Sequence, residues 1–593
     1  MDLSQQASFI WSIAEVAHFV FKPAEYGKVI LPFTVLRRLE CVLEPTKAAV
    51  WAEAERLKKS EVDNPSPFLR RASGFGFYNV SHLDLPTIAG DPNHVSENMK
   101  DYLDGFSPEL RTMFERFKFD DVLKTCAEKG ILYEIVKQFS TIDLHPDVIP
   151  NTGMGDIFEH LIHKFSEALN DGAGEYFTPR DVIELMVHLI FTEDEEVLTP
   201  GNSVVRTIYD PTCGTGGMLS TAEEYLRAYN PSASVNLYGQ EIYDISAAIC
   251  TADMLIKGQN ASHIICGNTL TDDGLPDERF DYCLANPPYG VDWKKDEKKV
   301  RKEHQEKGYE GRFGPGLPRT SDGSTLFLLH MISKLRRRED GGGRLAVVLN
   351  GSPLFTGNAG SGESEIRRYC FENDLVEAII ALPTDMFFNT GISTYIWILS
   401  NRKPEERKGK VQLIDASSMF TPMRKSKGSK RKEISQEQAK TITQIYGCME
   451  EVWKEETTAS GKIRRIPICR IFKNRDFGYT TITVERPLRD ANGNIELGVR
   501  GKNKGKPVAD SSLRDTENVP LNEDIEEFFK REVLPYHPDA WIDHGKSKVG
   551  YELSFNRYFY VPEEQLSVAE LDKRITALSS SIMERLIRLT KGE

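Results

Sequence analysis

Asp210-Pro-Thr-Cys-Gly-Thr-Gly-Gly217 stands between a short apolar run, 204–209, and a helix candidate, 217–229. Its glycines let the backbone pass close to a ligand where a Cβ would intrude, and the helix start beyond them offers unpaired N–H groups. It has neither the spacing of a dinucleotide Gly-x-Gly-x-x-Gly turn nor the lysine of a phosphate loop. Outward from it, apolar or β-branched runs at 204–209, 235–239, 263–266, 280–285, 345–349, 376–382 and 394–399 alternate with helix candidates such as 217–229, 245–257, 326–337 and 365–372. Continuous apolar strands separated by helices predict an α/β unit, a mostly parallel sheet covered on both faces. Such sheets bind their ligands beyond the carboxyl ends of the strands.

Three further strand ends carry chemistry. Glu241 closes the second run in Tyr238-Gly-Gln-Glu241, where an acid can accept hydrogen bonds from both hydroxyls of a ribose. Gly267-Asn268 closes the third, where a side-chain amide can meet an adenine edge. A glycine turn, a surface glutamate or a turn asparagine is weak alone, but their order along successive strands predicts a nucleoside site at the sheet edge.

Asn286-Pro-Pro-Tyr289 ends the fourth run and is the most specific signal. Both prolines fix φ and lack an N–H, so the loop is stiff and its carbonyls keep a set direction. The Asn286 Oδ1 and the Pro287 carbonyl can accept the two hydrogens of an amino group conjugated to a ring. That localises the nitrogen lone pair for in-line attack on a methyl-sulfonium, and no metal is required. Tyr289 can stack on a base drawn out of its duplex. Candidate catalytic residues are therefore Asn286, Pro287, Pro288 and Tyr289.

The flanks differ. Phe9, Ile10, Ile13, Val16, Ala17 and Val20, then Tyr26, Val29, Ile30, Phe33 and Leu36 after Pro23, recur at helical spacing, so residues 1–165 read as an all-helical unit. Lys/Arg-rich runs at 402–410, 424–432 and 500–506 suit either phosphates or solvated loops. Leu571, Ile575, Leu578, Ile582, Leu586 and Leu589 form an apolar stripe on a polar terminal helix, which suits either a packing seam with another subunit or a helix folded back on its own domain. Gly357-Asn-Ala-Gly-Ser-Gly-Glu-Ser364 has phosphate-loop spacing, but Glu363 stands where a lysine is needed, so ATP hydrolysis is not expected.

A formal charge of −14 over 593 residues has the wrong sign for gripping phosphates with the whole surface, so any nucleic-acid contact must be local or come through a partner. No stretch approaches the ~18 uninterrupted apolar residues of a membrane helix, and the start lacks a basic leader. The nine cysteines form no Cys-x-x-Cys pair, which predicts reduced thiols in a cytoplasmic protein.

The glycine turn followed by Asn-Pro-Pro-Tyr resembles the modification (methyltransferase) subunit of type I restriction-modification systems, which methylate adenine N6. Gly174-Glu-Tyr-Phe-Thr-Pro-Arg180, Phe387-Phe-Asn-Thr-Gly-Ile392 and Tyr26-Gly-Lys-Val-Ile-Leu31 are similar to the same family, as is the looser 550–558 stretch. The resemblance implies an S-adenosylmethionine-dependent methyltransferase fold, a mostly parallel, seven-stranded, doubly wound sheet, over 166–402. An N-terminal helical domain over 1–165, a charged extension of unassigned role over 403–545 and a subunit-docking region over 546–593 complete the expected organisation. It implies S-adenosylmethionine as cofactor, held by Glu175, Tyr176, Phe177, Thr178, Pro179 and Arg180, by Asp210, Gly214, Thr215, Gly216 and Gly217, and by Glu241 and Asn268. Thr178 would bond the methionine end and Phe177 would pack on the cofactor.

DNA and a specificity subunit, bound through the C-terminal helix with two modification subunits per specificity subunit, are the implied partners. A restriction subunit is a further one. Enzymes that methylate RNA or a protein glutamine share the Asn-Pro-Pro-Tyr loop, and a stand-alone adenine methyltransferase using 403–545 as its own reader is the nearer alternative. A DNA-binding scaffold without catalysis is the alternative outside enzymes, opposed by the intact acceptor loop.

Overall fold

The computed structural model describes residues 10–17, 20–22, 25–60, 62–169, 178–288, 290–388, 390–457, 463–500, 504–562 and 568–591. Glu175, Tyr176, Phe177 and Tyr289 lie outside the described residues.

Alternation within the strands sets the layers. In Arg344–Asn350, Ala346 and Val348 point into one apolar cluster while Leu345, Val347 and Leu349 point into another. Tyr282–Ala285 splits likewise, with Tyr282 and Leu284 on one face and Cys283 and Ala285 on the other. Period-two alternation with every position buried requires helices on both sides. Arg180–Phe191, Gly217–Tyr229 and Gln436–Cys448 cover the first face; Ser324–Lys334 and Gly362–Glu372 cover the second.

The strands are β1 Val205–Asp210, β2 Ser234–Glu241, β3 Ile264–Cys266, β4 Tyr282–Ala285, β5 Arg344–Asn350, β6 Val376–Ala381, β7 Thr394–Ser400 and β8 Lys410–Asp415. A hairpin, β9 Thr421–Lys427 and β10 Lys430–Glu433, precedes β11 Val452–Thr457 and β12 Ile463–Lys473. The main sheet has ten strands, in the order β11-β12-β8-β6-β7-β5-β4-β1-β2-β3. The expected seven form its continuous part, β6-β7-β5-β4-β1-β2-β3, with β7 antiparallel to both neighbours.

The count of seven needs correction, because β8, β12 and β11 extend the same sheet beyond β6. The sheet therefore does not stop at 402, and the charged extension supplies three of its strands. The rest of that extension builds a second sheet in which β13 Gly478–Glu485 pairs with β14 Asp515–Pro520, β15 Trp541–Ile542 and β16 Lys548–Tyr551. The β13–β16 pairing spans the expected boundary at 545/546, and Tyr551, Leu553 and Phe555 return to the main core.

The N-terminal helices pack around Tyr26–Leu43, which is buried along most of its length. Its Arg38 guanidinium donates to the carbonyls of Leu144 and Ile149 and, at 2.6 Å, to Asn151 Oδ1, tying the helix to the chain that enters Asn151–Leu169. Phe33, Leu36 and Leu39 share one cluster with Ala248, Ile249, Ala252 and Leu255 of the helix Asp244–Ile256. The helical unit thus rests on the helix that follows β2, behind the Glu241 strand end. No helix among the described residues is long and apolar enough to cross a membrane.

Candidate active site

The carboxyl ends of β1 to β4 open on one cavity of about 220 Å³. It is lined by Asp210 and the turn after it, by Glu241, Asn268, Asn286 and Pro288, and by Thr178 from across the sheet edge. Ile242, Val291 and Phe327 add apolar walls, and Ile242 and Val291 are exposed at the mouth.

The glycine turn is stitched to its neighbours through the backbone. Cys213 N–H donates to the Gln240 carbonyl at 3.1 Å, and Gly214 N–H donates to Glu241 Oε2 at 2.9 Å. Gly216 has φ +91° and caps the helix Gly217–Tyr229; a Cβ there would lie 2.8 Å from Cys250 Sγ. Only glycine meets both conditions. On the β3 side, Thr269 Oγ1 donates to the Pro211 carbonyl at 2.6 Å.

Glu241 accepts from Tyr243 N–H on Oε1 and from Gly214 N–H on Oε2, each at 2.9 Å. Each oxygen keeps a lone pair for a ligand hydroxyl. Burial raises its pKa, with the backbone N–H bonds opposing the rise. Asp210, also buried, accepts from Thr212 N–H at 2.9 Å. Burial, helped by the neighbouring Glu241 charge, pushes its carboxyl up to about 7.

The acceptor loop shows the most pointed chemistry. Asn286 Nδ2 donates to Thr178 Oγ1 at 2.9 Å, while Asn286 Oδ1 is buried with no hydrogen-bond partner among the described residues. Pro287 is buried and Pro288 lines the cavity. Pro179 caps the helix Arg180–Phe191 and so sets where Thr178 stands.

Two expected residues are placed differently. Asn268 spends its amide inside the protein, Oδ1 accepting from Leu270 N–H and Nδ2 donating to Asp296 Oδ1, both at 2.9 Å. Arg180 turns away to Glu184 and Asp156 and lines a neighbouring small cavity together with Thr215 and Gly217.

No motif marks Asp296, which lies in a lysine-rich polar stretch yet lines the cavity beside Asn268. Nor does one mark Arg312, whose guanidinium donates to the carbonyls of Thr269 at 2.6 Å and Leu270 at 3.0 Å and pairs with Glu303. The phosphate-loop look-alike is packing: a Cβ on Gly362 would lie 1.7 Å from the Leu317 carbonyl oxygen, and Glu363 accepts from Arg319 N–H.

The residues fit a nucleoside carrying a charged tail: a buried acid with free lone pairs, apolar walls, a glycine turn at a helix start and an unpaired acceptor beyond. Fold and cavity together define an S-adenosylmethionine-dependent methyltransferase. The chain belongs to the N-6 DNA methylase family, whose model matches residues 151–466, and the HsdM N-terminal domain model matches residues 6–139. It is a DNA methyltransferase.

The type I restriction enzyme MjaIX methylase subunit of Methanocaldococcus jannaschii is 25% identical over 455 residues, covering 74% of this chain and 76% of that one. The HindI methylase subunit of Haemophilus influenzae is 29% identical over 267 residues, 44% of this chain and 54% of that one. The fold matches the solved type I restriction-modification methyltransferase subunit of Streptococcus thermophilus with a TM-score of 0.60 at 21% identity, over 80% of this chain and 97% of that one.

Proposed function

We infer that this chain is the modification subunit of a type I restriction-modification system, methylating N6 of an adenine turned out of duplex DNA. A base amino group is out of reach inside the stack, so extrusion is required. Bound S-adenosylmethionine supplies the electrophilic methyl carbon of a sulfonium.

Asn286 Oδ1 and the Pro287 carbonyl accept the two amino hydrogens, and Thr178 holds the Asn286 amide so that the oxygen faces the substrate. Pro287 and Pro288 keep the loop stiff. Glu241 takes the ribose hydroxyls on its spare lone pairs, and the 210–217 turn approaches the methionine portion. Asn268 and Asp296, joined through the Asn268 amide nitrogen, act as a pair at the cofactor's adenine edge. Tyr289 stacks on the extruded base. Glu175, Tyr176 and Phe177 belong with Thr178 at the cofactor. Residues 1–165 and the sheet unit work as separate domains.

The observation that carries this reading is the unpaired Asn286 Oδ1. Leaving a buried acceptor unmatched costs about 1–3 kcal/mol, which a protein tolerates where a ligand brings the missing donor. The relatives are named as subunits, and the exposed apolar stripe of Val568–Lys591 fits docking on a specificity subunit, two copies of this chain to one of it. A restriction subunit completes the assembly in the cytoplasm, where chromosomal DNA lies.

The test is to incubate the chain with duplex DNA and labelled cofactor, with and without the specificity subunit, and to analyse nucleosides by mass spectrometry. N6-methyladenine formed only with the partner is expected. A methylated cytosine, or label on protein alone, would overturn the reading. Sequence-specific methylation by the chain alone would move the reader into this polypeptide.

A further inference from the structure

Three basic runs stand out in a chain of net charge −14, and the structure separates the two whose backbone it describes throughout. In the run 402–410, Lys403 is paired with Asp374 at 2.6 Å and Arg407 with Glu193 at 2.8 Å, and both are buried. That run follows antiparallel β7, so it lies at the sheet edge opposite the site. Its charges hold the fold together.

The β9–β10 hairpin is different. It is anchored rather than loose: Lys430 Nζ reaches both Asp181 carboxylate oxygens at 3.0 Å and the Met386 carbonyl at 3.1 Å. Ser429 N–H donates to the Phe388 carbonyl at 2.8 Å and Arg431 N–H to the Asp385 carbonyl at 2.9 Å. The chain at 382–388 leaves the carboxyl end of β6, which runs parallel to β4, so the hairpin stands on the edge that carries Asn286. Asp181 opens the helix that begins just after Thr178, the partner of Asn286. From this footing Arg424, Lys425 and Arg431 are exposed, and none makes an ion pair among the described residues.

We propose that the β9–β10 hairpin is a phosphate-binding strut that grips the DNA backbone beside the extruded base. Exposed cations on an anchored hairpin, on the sheet edge that carries the acceptor loop and in a chain of net negative charge, suit a local contact with a polyanion. Such contacts fix register without reading sequence, as a modification subunit relying on a partner for base readout requires. The inference rests on the DNA methyltransferase reading above.

The test compares wild type with Arg424→Ala/Lys425→Ala/Arg431→Ala, each assembled with the specificity subunit, by DNA binding across a salt series and by cofactor calorimetry. Each lost phosphate contact removes about 0.9 from the slope of log K against log salt, so the slope should fall by about 2–3. DNA affinity near ~0.15 M salt should drop on the order of 10- to 100-fold, with cofactor affinity unchanged. The charge-conserving Arg424→Lys/Arg431→Lys pair should keep the wild-type slope.

An unchanged slope in the alanine variant, while wild type still methylates DNA, would overturn the strut alone. Equal losses in the alanine and lysine variants would also overturn it, as would a defect confined to subunit or RNA binding. Absence of N6-methyladenine in wild type would instead remove the functional reading on which it rests.

Discussion

Asn286 and Thr178 are joined by a 2.9 Å hydrogen bond that uses the amide nitrogen of Asn286 and leaves its buried oxygen unpaired among the described residues. The contact joins the end of β4 to the entry of the helix Arg180–Phe191, so the aim of the acceptor oxygen depends on a residue far away in sequence. Thr178→Val removes the acceptor for Nδ2 and lets the amide rotate. Methyl transfer in single-turnover assays should slow by about 10- to 100-fold, roughly 1.4–2.7 kcal/mol of barrier. Thr178→Ser should restore most of it, and a valine variant at the wild-type rate would show that the bond does not position Asn286.

Gly216 predicts a stability effect. An alanine there must adopt φ +91° with its Cβ 2.8 Å from Cys250 Sγ, so Gly216→Ala should cost roughly 2–4 kcal/mol in urea unfolding. Paired with Cys250→Ala, which clears the space, part of that loss should return while the backbone share persists.

Asp210 makes stability depend on pH. Its folded pKa is raised to about 7 by burial, against about 3.9 in an unfolded chain, so the folded state binds the extra proton. The associated stability is fully present below about pH 4 and is lost as pH rises through about 7, at up to about 1.4 kcal/mol per unit. Asp210→Asn cannot ionise and escapes this loss. Its stability relative to wild type should therefore climb between about pH 4 and pH 7 and level off above; a flat difference would contradict the assignment.

The terminal helix gives a prediction about assembly. Leu571, Ile575, Leu578 and Ile582 are 45%, 60%, 63% and 57% exposed, a stripe left uncovered among the described residues. Leu578→Asp/Ile582→Asp should abolish co-purification with the specificity subunit and leave cofactor affinity unchanged. An intact complex would move the interface elsewhere.

What the sequence disclosed follows physical lines. The glycine turn, Glu241 and the Asn286 loop were legible because each sits where an apolar run stops, and a sheet edge brings such stops together whatever lies between them. Asp296 and Arg312 were not, since their roles come from a polar segment folding back over β3, with no periodicity to announce it. The sheet was undercounted for a similar reason. β11 is an exposed edge made of Val-Trp-Lys-Glu-Glu-Thr, and β12 interleaves arginines with its apolar residues, so neither reads as a buried strand. β8 hides Gln412 among apolar neighbours, where its amide is bonded to the Ile445 carbonyl. In the acceptor site itself, the sequence pointed to the Asn286 oxygen but not to Thr178 as the partner of its amide nitrogen.

The most direct measurement is made on Asn286→Ala, assembled with its specificity subunit, by calorimetry with S-adenosylmethionine and by mass spectrometry of treated DNA. Cofactor affinity within about twofold of wild type, together with N6-methyladenine reduced by about 10³-fold or more, is the result expected of a group that acts on the substrate amine. Normal turnover by this variant, or loss of cofactor binding in step with activity, would contradict the role given to its side-chain oxygen.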